Sequence, residues 1–131
     1  MSLYLALFNG SSEVTGWVLG HYSDFGVFRD TVARTVDASK YPTLMLHSDS
    51  DGEWAVAELS TLRNELIELA EQFKRRPPEE LAGGFEHSTT QREHATSLYE
   101  CFHNVDGANI FEALIALCEK GEQRSLPILF Q

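Results

Sequence analysis

A short acidic segment that follows His47 carries the residues whose types could support chemistry. With Gly52 at the invariant glycine of a calcium-binding loop, Asp49 and Asp51 fall at ligand positions three and five. Glu58 falls at the bidentate position twelve. Position one, however, is His47, whose nitrogen is a poor ligand for an ion that prefers oxygen. The spacing therefore predicts an acidic turn that lacks the first carboxylate of a calcium site.

Other catalytic or metal-binding patterns are weaker. Cys101 and His103 lie two positions apart, but no Cys-x-x-Cys or His-x-x-x-His spacing accompanies them. The remaining candidate zinc ligands are His21, His47, His87, His94 and Cys118. Neither a Gly-x-Ser-x-Gly elbow nor a phosphate-binding glycine loop occurs. We therefore expect no catalytic, cofactor or metal site. The alternative is a small metal-binding or hydrolytic enzyme that uses His47, Asp49 and Asp51.

The acidic turn is expected to lie between a strand and a long helix. Thr43 to His47 is a short apolar run, which is typical of a buried strand. A helix is predicted from Ala55 to Arg76, because apolar residues recur there at every third or fourth position. They are Leu59, Leu62, Leu66, Leu69 and Phe73. The basic residues Lys74-Arg75-Arg76 suit the negative end of the helix dipole, and Pro77-Pro78 stops the helix.

Hydrophobic periodicity and turn residues divide the rest of the chain into further elements. Strands are predicted at Leu3–Phe8, Val14–Tyr22, Leu98–Val105 and Leu126–Gln131, and helices at Asp24–Val36, Gln91–Ser97 and Asn109–Lys120. The polar segment from Glu79 to Thr90 is predicted to be a surface loop. The approximate order ββαβα(α)βαβ predicts a single α+β domain over residues 1–131, in which helices pack on a mixed β-sheet.

The protein is strongly acidic, and its charge is unevenly placed. The 131 residues carry a formal net charge of −10. Between Asp49 and Glu71, seven acidic residues are accompanied by a single base, Arg63. Such a field repels nucleic acid and anionic membranes, while it attracts a basic partner. We therefore expect a protein partner and neither nucleic acid nor membrane.

The sequence also bears on where the protein works. Its longest apolar runs fall short of the roughly 18 residues that a membrane-spanning helix needs. The N-terminus lacks the basic region of a secretory signal. Cys101 and Cys118 are surrounded by apolar residues, as is typical of buried thiols that remain reduced. A cytoplasmic protein is expected.

Aromatic residues near the acidic turn suggest how a partner could be held. Trp54 follows the turn, and tryptophan is enriched among the residues that dominate binding at protein interfaces. The alternative is that the Trp54 ring packs on the first turn of the long helix. The predicted partner-binding surface consists of Asp49, Asp51, Glu53, Trp54 and Glu58.

Segments spread over most of the chain carry a resemblance to a known family. They are Tyr22–Arg29, Tyr41–Asp49, Asp51–Trp54, Leu98–Phe102, Val105–Gly107 and Leu126–Gln131. In this order they resemble the immunity protein 70 family of bacterial immunity proteins, which are encoded beside polymorphic toxins and neutralise them. The resemblance implies a protein that binds a cognate toxin domain and has no active site of its own. Besides the hydrolytic alternative, a domain that pairs with itself through its C-terminal edge strand remains open.

Overall fold

The computed structural model describes residues 2–48, 51–79, 96–103 and 107–131 of the protein. The strands are β1 (Ser2–Asn9), β2 (Ser12–His21), β3 (Glu53–Trp54) and β4 (Ile128–Phe130). The helices are α1 (Tyr22–Thr35), α2 (Pro42–Met45), α3 (Val56–Lys74) and α4 (Ile110–Arg124), with short 3-10 helices at Ala38–Lys40 and Leu98–Cys101. The predicted α+β class is confirmed.

The four strands form one sheet in the order β2-β1-β4-β3. β1 and β2 form a hairpin whose turn contains Gly10 at φ +65°, a conformation that glycine adopts without strain. β4 pairs with β1 on one side and with β3 on the other, and each of these pairs is antiparallel. The sheet is therefore antiparallel rather than mixed. Because β4 lies inside the sheet, it is not the free edge that the self-association alternative requires.

One face of the sheet packs against the helices. Leu3, Leu5 and Leu7 of β1 are fully buried on that face. In the helical layer, the ring of Phe28 contacts three other aromatic rings at centroid distances of 5.2–6.3 Å. They belong to Phe73, Phe102 and Phe111. Edge-to-face contacts of this kind add to the stabilisation that burial alone provides, so this cluster is the centre of the core.

Polar side chains fix the beginnings of two helices. Asp24 in the first turn of α1 is buried, and its carboxylate accepts a hydrogen bond of 2.6 Å from the backbone N–H of His21. The Asn109 side chain caps α4 by accepting hydrogen bonds from the N–H groups of Phe111 and Glu112, at 2.9 and 3.3 Å. Each cap satisfies backbone donors that have no partner within the helix.

α4 extends four residues beyond the predicted end at Lys120 and contains a buried glycine, Gly121. A Cβ at Gly121 would lie 2.6 Å from Cδ1 of Leu59 and 2.7 Å from the carbonyl oxygen of Leu126. The glycine therefore allows α4 to approach α3 closely. The helix ends at Arg124, and Ser125 adopts the left-handed conformation at φ +54°.

Two predicted strands are wrong. Residues 43–47 form most of α2 and its C-terminal turn, because charged side chains from other elements bind both ends of this segment. The predicted strand Leu98–Val105 begins as a 3-10 helix that buries Leu98 and Cys101. Short apolar runs fit a buried helical turn as well as a strand, so periodicity alone could not separate them. The predicted loop Glu79–Thr90 and helix Gln91–Ser97 lie largely outside the described residues.

Candidate functional site

The acidic turn is held in place by a four-residue helix, α2, that has a charged side chain at each end. At its N-terminus, the buried carboxylate of Glu65 accepts hydrogen bonds from the N–H groups of Thr43 (3.2 Å) and Leu44 (3.0 Å). At the other end, the guanidinium of Arg29 donates to the carbonyl oxygens of residues 44, 45 and 47 at 2.6–3.3 Å. An anion at the N-terminus and a cation at the C-terminus match the helix dipole. These contacts stabilise a helix where the sequence alone suggested a strand.

Trp54 is a core residue. Its side chain is fully buried, and its indole N–H donates a hydrogen bond of 3.0 Å to the carbonyl oxygen of Thr43. The ring packs against three other rings at centroid distances of 4.9–6.3 Å. They belong to Phe25, His47 and Phe130. The prediction of an exposed tryptophan anchor is therefore wrong, because α2 and β4 cover the ring.

The ring of His47 stacks on the ring of Phe130 at a centroid distance of 4.3 Å, and each of its two nitrogens lies near a backbone oxygen. Its Nδ1 lies 2.8 Å from the carbonyl oxygen of Ser48, and its Nε2 lies 2.8 Å from the carbonyl oxygen of Glu53. Both nitrogens that could bind a metal or transfer a proton thus face backbone carbonyl oxygens, to only one of which a neutral imidazole can donate. Asp51, in turn, accepts a hydrogen bond of 2.7 Å from the hydroxyl of Ser48. In the described part of the chain, no group of three or more His, Cys, Asp or Glu side chains is placed to hold a metal ion.

Three of the predicted partner-binding carboxylates are exposed. Asp51, Glu53 and Glu58 lie in the turn, on β3 and in the first turn of α3. Glu58 also accepts a hydrogen bond of 3.0 Å from the N–H of Ala55, which caps α3. Asp49 lies outside the described residues. These three acids are therefore exposed on consecutive elements, the turn, the edge strand β3 and the start of α3.

The single base of the acidic segment does not neutralise this group. Arg63 forms an ion pair with Glu122 of α4 at 2.6 Å, and both side chains are about 29% exposed. Among the described residues, none forms an ion pair with Asp51, Glu53 or Glu58. Their negative charge is therefore available to a partner.

Comparison with known proteins supplies the identity of the family. The family model of immunity protein 70 matches residues 11–130. The chain belongs to the immunity protein 70 family. Searches of curated proteins and of solved structures found no match. Membership in this family indicates a protein that neutralises a toxin, a function typically performed without catalysis.

The exposure of one apolar residue of this immunity protein, Leu46, was not predicted from the sequence. Leu46 follows α2 and is 83% exposed, more than the exposed side chains of Val56 (37%) and Ile67 (45%). A strand over residues 43–47 gave no reason to expect exposure, whereas the C-terminus of a helix points this side chain away from the core. We define the acidic face as Leu46, Asp51, Glu53 and Glu58.

The two cysteines lie in the interior of the immunity protein, as the sequence predicts. Cys101 and Cys118 are both buried, and no disulfide joins them. Burial and the nearby carboxylate of Glu122 raise the pKa of the Cys118 thiol to about 12. Within the described residues, none of the helices combines the length and apolar character required to cross a lipid bilayer.

Proposed function

We propose that this immunity protein binds a cognate toxin domain through its acidic face and thereby inhibits the toxin in the cytoplasm. Family membership over residues 11–130 supports a toxin as the partner. The exposed carboxylates, which form no ion pair with the described residues, support this location of the interface, since complementary charge accelerates association. A basic surface on the toxin, such as a cleft that binds an anionic substrate, would complement these acids.

The acidic face combines charge with one apolar contact. Carboxylates around an interface steer the partner and mainly determine the association rate. Leu46, with 83% of its surface exposed, can enter an apolar pocket on the toxin and mainly determine the dissociation rate. It takes the anchoring role that the sequence assigned to Trp54, which is buried.

The face is fixed before the partner arrives. Glu65 and Arg29 bind the two ends of α2, and the ring of His47 links the turn to β3. Because these contacts use side chains and backbone groups inside the protein, the exposed carboxylates need not be rearranged when the toxin binds. A preorganised surface loses less conformational entropy on association, which favours tight binding.

The charge contribution can be tested by surface-based kinetics with the toxin domain encoded beside the immunity gene. We expect Asp51→Lys to slow association at least about fivefold at low salt and to flatten its salt dependence, since steering contributes about 10–10³-fold in total. Asp30→Lys is the matched control, because it makes the same substitution at an exposed position on α1. If both variants slow association equally, net charge rather than this face is responsible.

The apolar contact can be tested in the same assay. We expect Leu46→Ala to accelerate dissociation by about 10–30-fold, which corresponds to about 1.4–2 kcal/mol. Ile67→Ala is the control, because Ile67 is 45% exposed on the outer side of α3. Unchanged dissociation of the Leu46→Ala variant would remove this residue from the interface. Absence of any complex with the wild-type protein would contradict the toxin-binding function for that toxin.

A further inference from the structure

β2 is a long strand at the edge of the sheet, and its central part is regular. Among the strands that the structure describes, β2 pairs with β1 alone. Its register with β1 shifts at both ends but is continuous from Thr15 to Val18. For residues 14–17, no backbone hydrogen bond to a described element other than β1 is present. An edge of this kind offers N–H and C=O groups to an added strand.

A groove runs along this edge between β2 and α4. Its volume is about 460 Å³, within the range of natural ligand sites. One wall is formed by residues 14–17 of β2. The other wall is formed by Ala113, Ala116, Leu117 and Lys120 of α4. The small alanine side chains leave room beside the strand, so side chains of an added strand could enter.

Two side chains in the walls of the groove carry hydrogen-bond donors for which the described residues supply no acceptor. The indole N–H of Trp17 is buried and has no partner there. Leaving such a donor unsatisfied is costly, so native structures rarely do so without a reason. Lys120 likewise forms no ion pair in the described part of the chain. The Trp17 nitrogen is covered in the free protein, so Lys120 is the donor that an added strand can reach directly. Because Lys120 is a cation, its complement is a carboxylate.

We propose that an extended segment of the toxin adds a strand to β2 and places a carboxylate in this groove. This inference rests on the proposed function, since it names a second contact of the same partner. A second copy of the immunity protein is the less favourable occupant, because each copy carries a net charge of −10. A segment that bears a carboxylate, by contrast, would meet Lys120, which forms no ion pair with any residue that the structure describes.

Hydrogen exchange of the free protein and of its complex tests the strand addition. Strand pairing would protect the outward-facing amides of residues 14–17, and we expect their exchange to slow at least tenfold when the toxin domain binds. In the free protein, sedimentation should show a monomer. A dimer with the same amides protected would identify a second copy as the occupant and overturn the proposal.

Variants of the groove test its chemistry. Ala116→Arg fills the groove from an exposed position, and we expect it to weaken toxin binding at least tenfold without lowering the melting temperature. Ala33→Arg, at an exposed position on α1, is the matched control and should bind within twofold of wild type. Lys120→Glu should weaken binding at least tenfold, whereas Lys120→Arg should stay within threefold because it keeps the cation.

The outcomes separate this inference from the function on which it rests. If the wild-type protein forms a complex but residues 14–17 gain no protection, the strand addition is wrong and toxin binding stands. The same conclusion follows if Ala116→Arg and Lys120→Glu bind normally. If the wild-type protein forms no complex with the toxin domain, both the function and this inference fail.

Discussion

The clearest test of how the acidic face is supported is the removal of the buried carboxylate of Glu65. This carboxylate accepts the N–H groups of Thr43 and Leu44 at the start of α2, and the bond to Leu44 is buried. A buried donor that loses its acceptor costs about 1–3 kcal/mol. With one donor buried and one partly buried, we expect Glu65→Ala to lower the free energy of unfolding by about 2–4 kcal/mol. That is a large share of the stability of a typical domain, about 5–15 kcal/mol.

Urea unfolding followed by tryptophan fluorescence measures this loss. Glu65→Gln keeps one acceptor oxygen and should lose about half as much, roughly 1–2 kcal/mol. Glu68→Ala is the matched control, because Glu68 is exposed one turn further along α3 and its loss should change stability by less than about 0.5 kcal/mol. If Glu65→Ala and Glu68→Ala prove equally stable, the carboxylate does not hold α2 and the account of the acidic face is wrong.

Three further predictions concern two buried residues and the C-terminal strand. Trp54→Ala should cost about 3–5 kcal/mol in urea unfolding, since the ring is fully buried; a normal stability would contradict its place in the core. Deletion of residues 128–131 should cost about 3–6 kcal/mol, because it removes the buried side chains of Ile128 and Phe130 and the pairing of β4 with β1. An unchanged cooperative transition would show that β4 is dispensable. Cys118 should react slowly with a thiol reagent at pH 8 in the native protein and quickly after unfolding, because burial raises its pKa to about 12. Since the folded pKa lies above the ordinary value of 9, this thiol stabilises the fold below pH 9, and that contribution is lost as the pH rises towards 12. Fast labelling of the native protein, with Cys118→Ala as the control, would contradict the burial.

The elements predicted best are those whose information is local. The apolar residues of α3 recur over five turns, and the structure confirms a helix at Val56–Lys74 within the predicted range. The hairpin of β1 and β2 and the first helix are likewise specified by nearby turn residues and periodicity. In these segments the local pattern and the tertiary packing favour the same structure.

The segment before the acidic turn could not be predicted in this way, because its structure depends on distant residues. Arg29 lies 15–18 positions from the carbonyl groups that it binds, and Glu65 lies 21–22 positions from its N–H donors. Neither contact leaves a periodic signal in residues 43–47. The exposure of Trp54 was predicted wrongly for the same reason, since α2, which the sequence did not predict, covers its ring. The exposure of Asp51, Glu53 and Glu58 was predictable, because charged side chains at a turn stay in contact with solvent whether a strand or a helix precedes the turn.

The two proposed contact surfaces lie at opposite edges of the same sheet. The acidic face is next to β3, whereas the groove runs along β2, with β1 and β4 between them. At the usual strand spacing these edges are about 14 Å apart. A standard interface covers about 800 Å² on each partner, which is a patch roughly 30 Å across. One toxin domain is therefore large enough to reach both edges. In that arrangement β4, which pairs with both β1 and β3, fixes the distance between the two contact surfaces. The toxin would then be recognised by this distance as well as by the charges of the two surfaces.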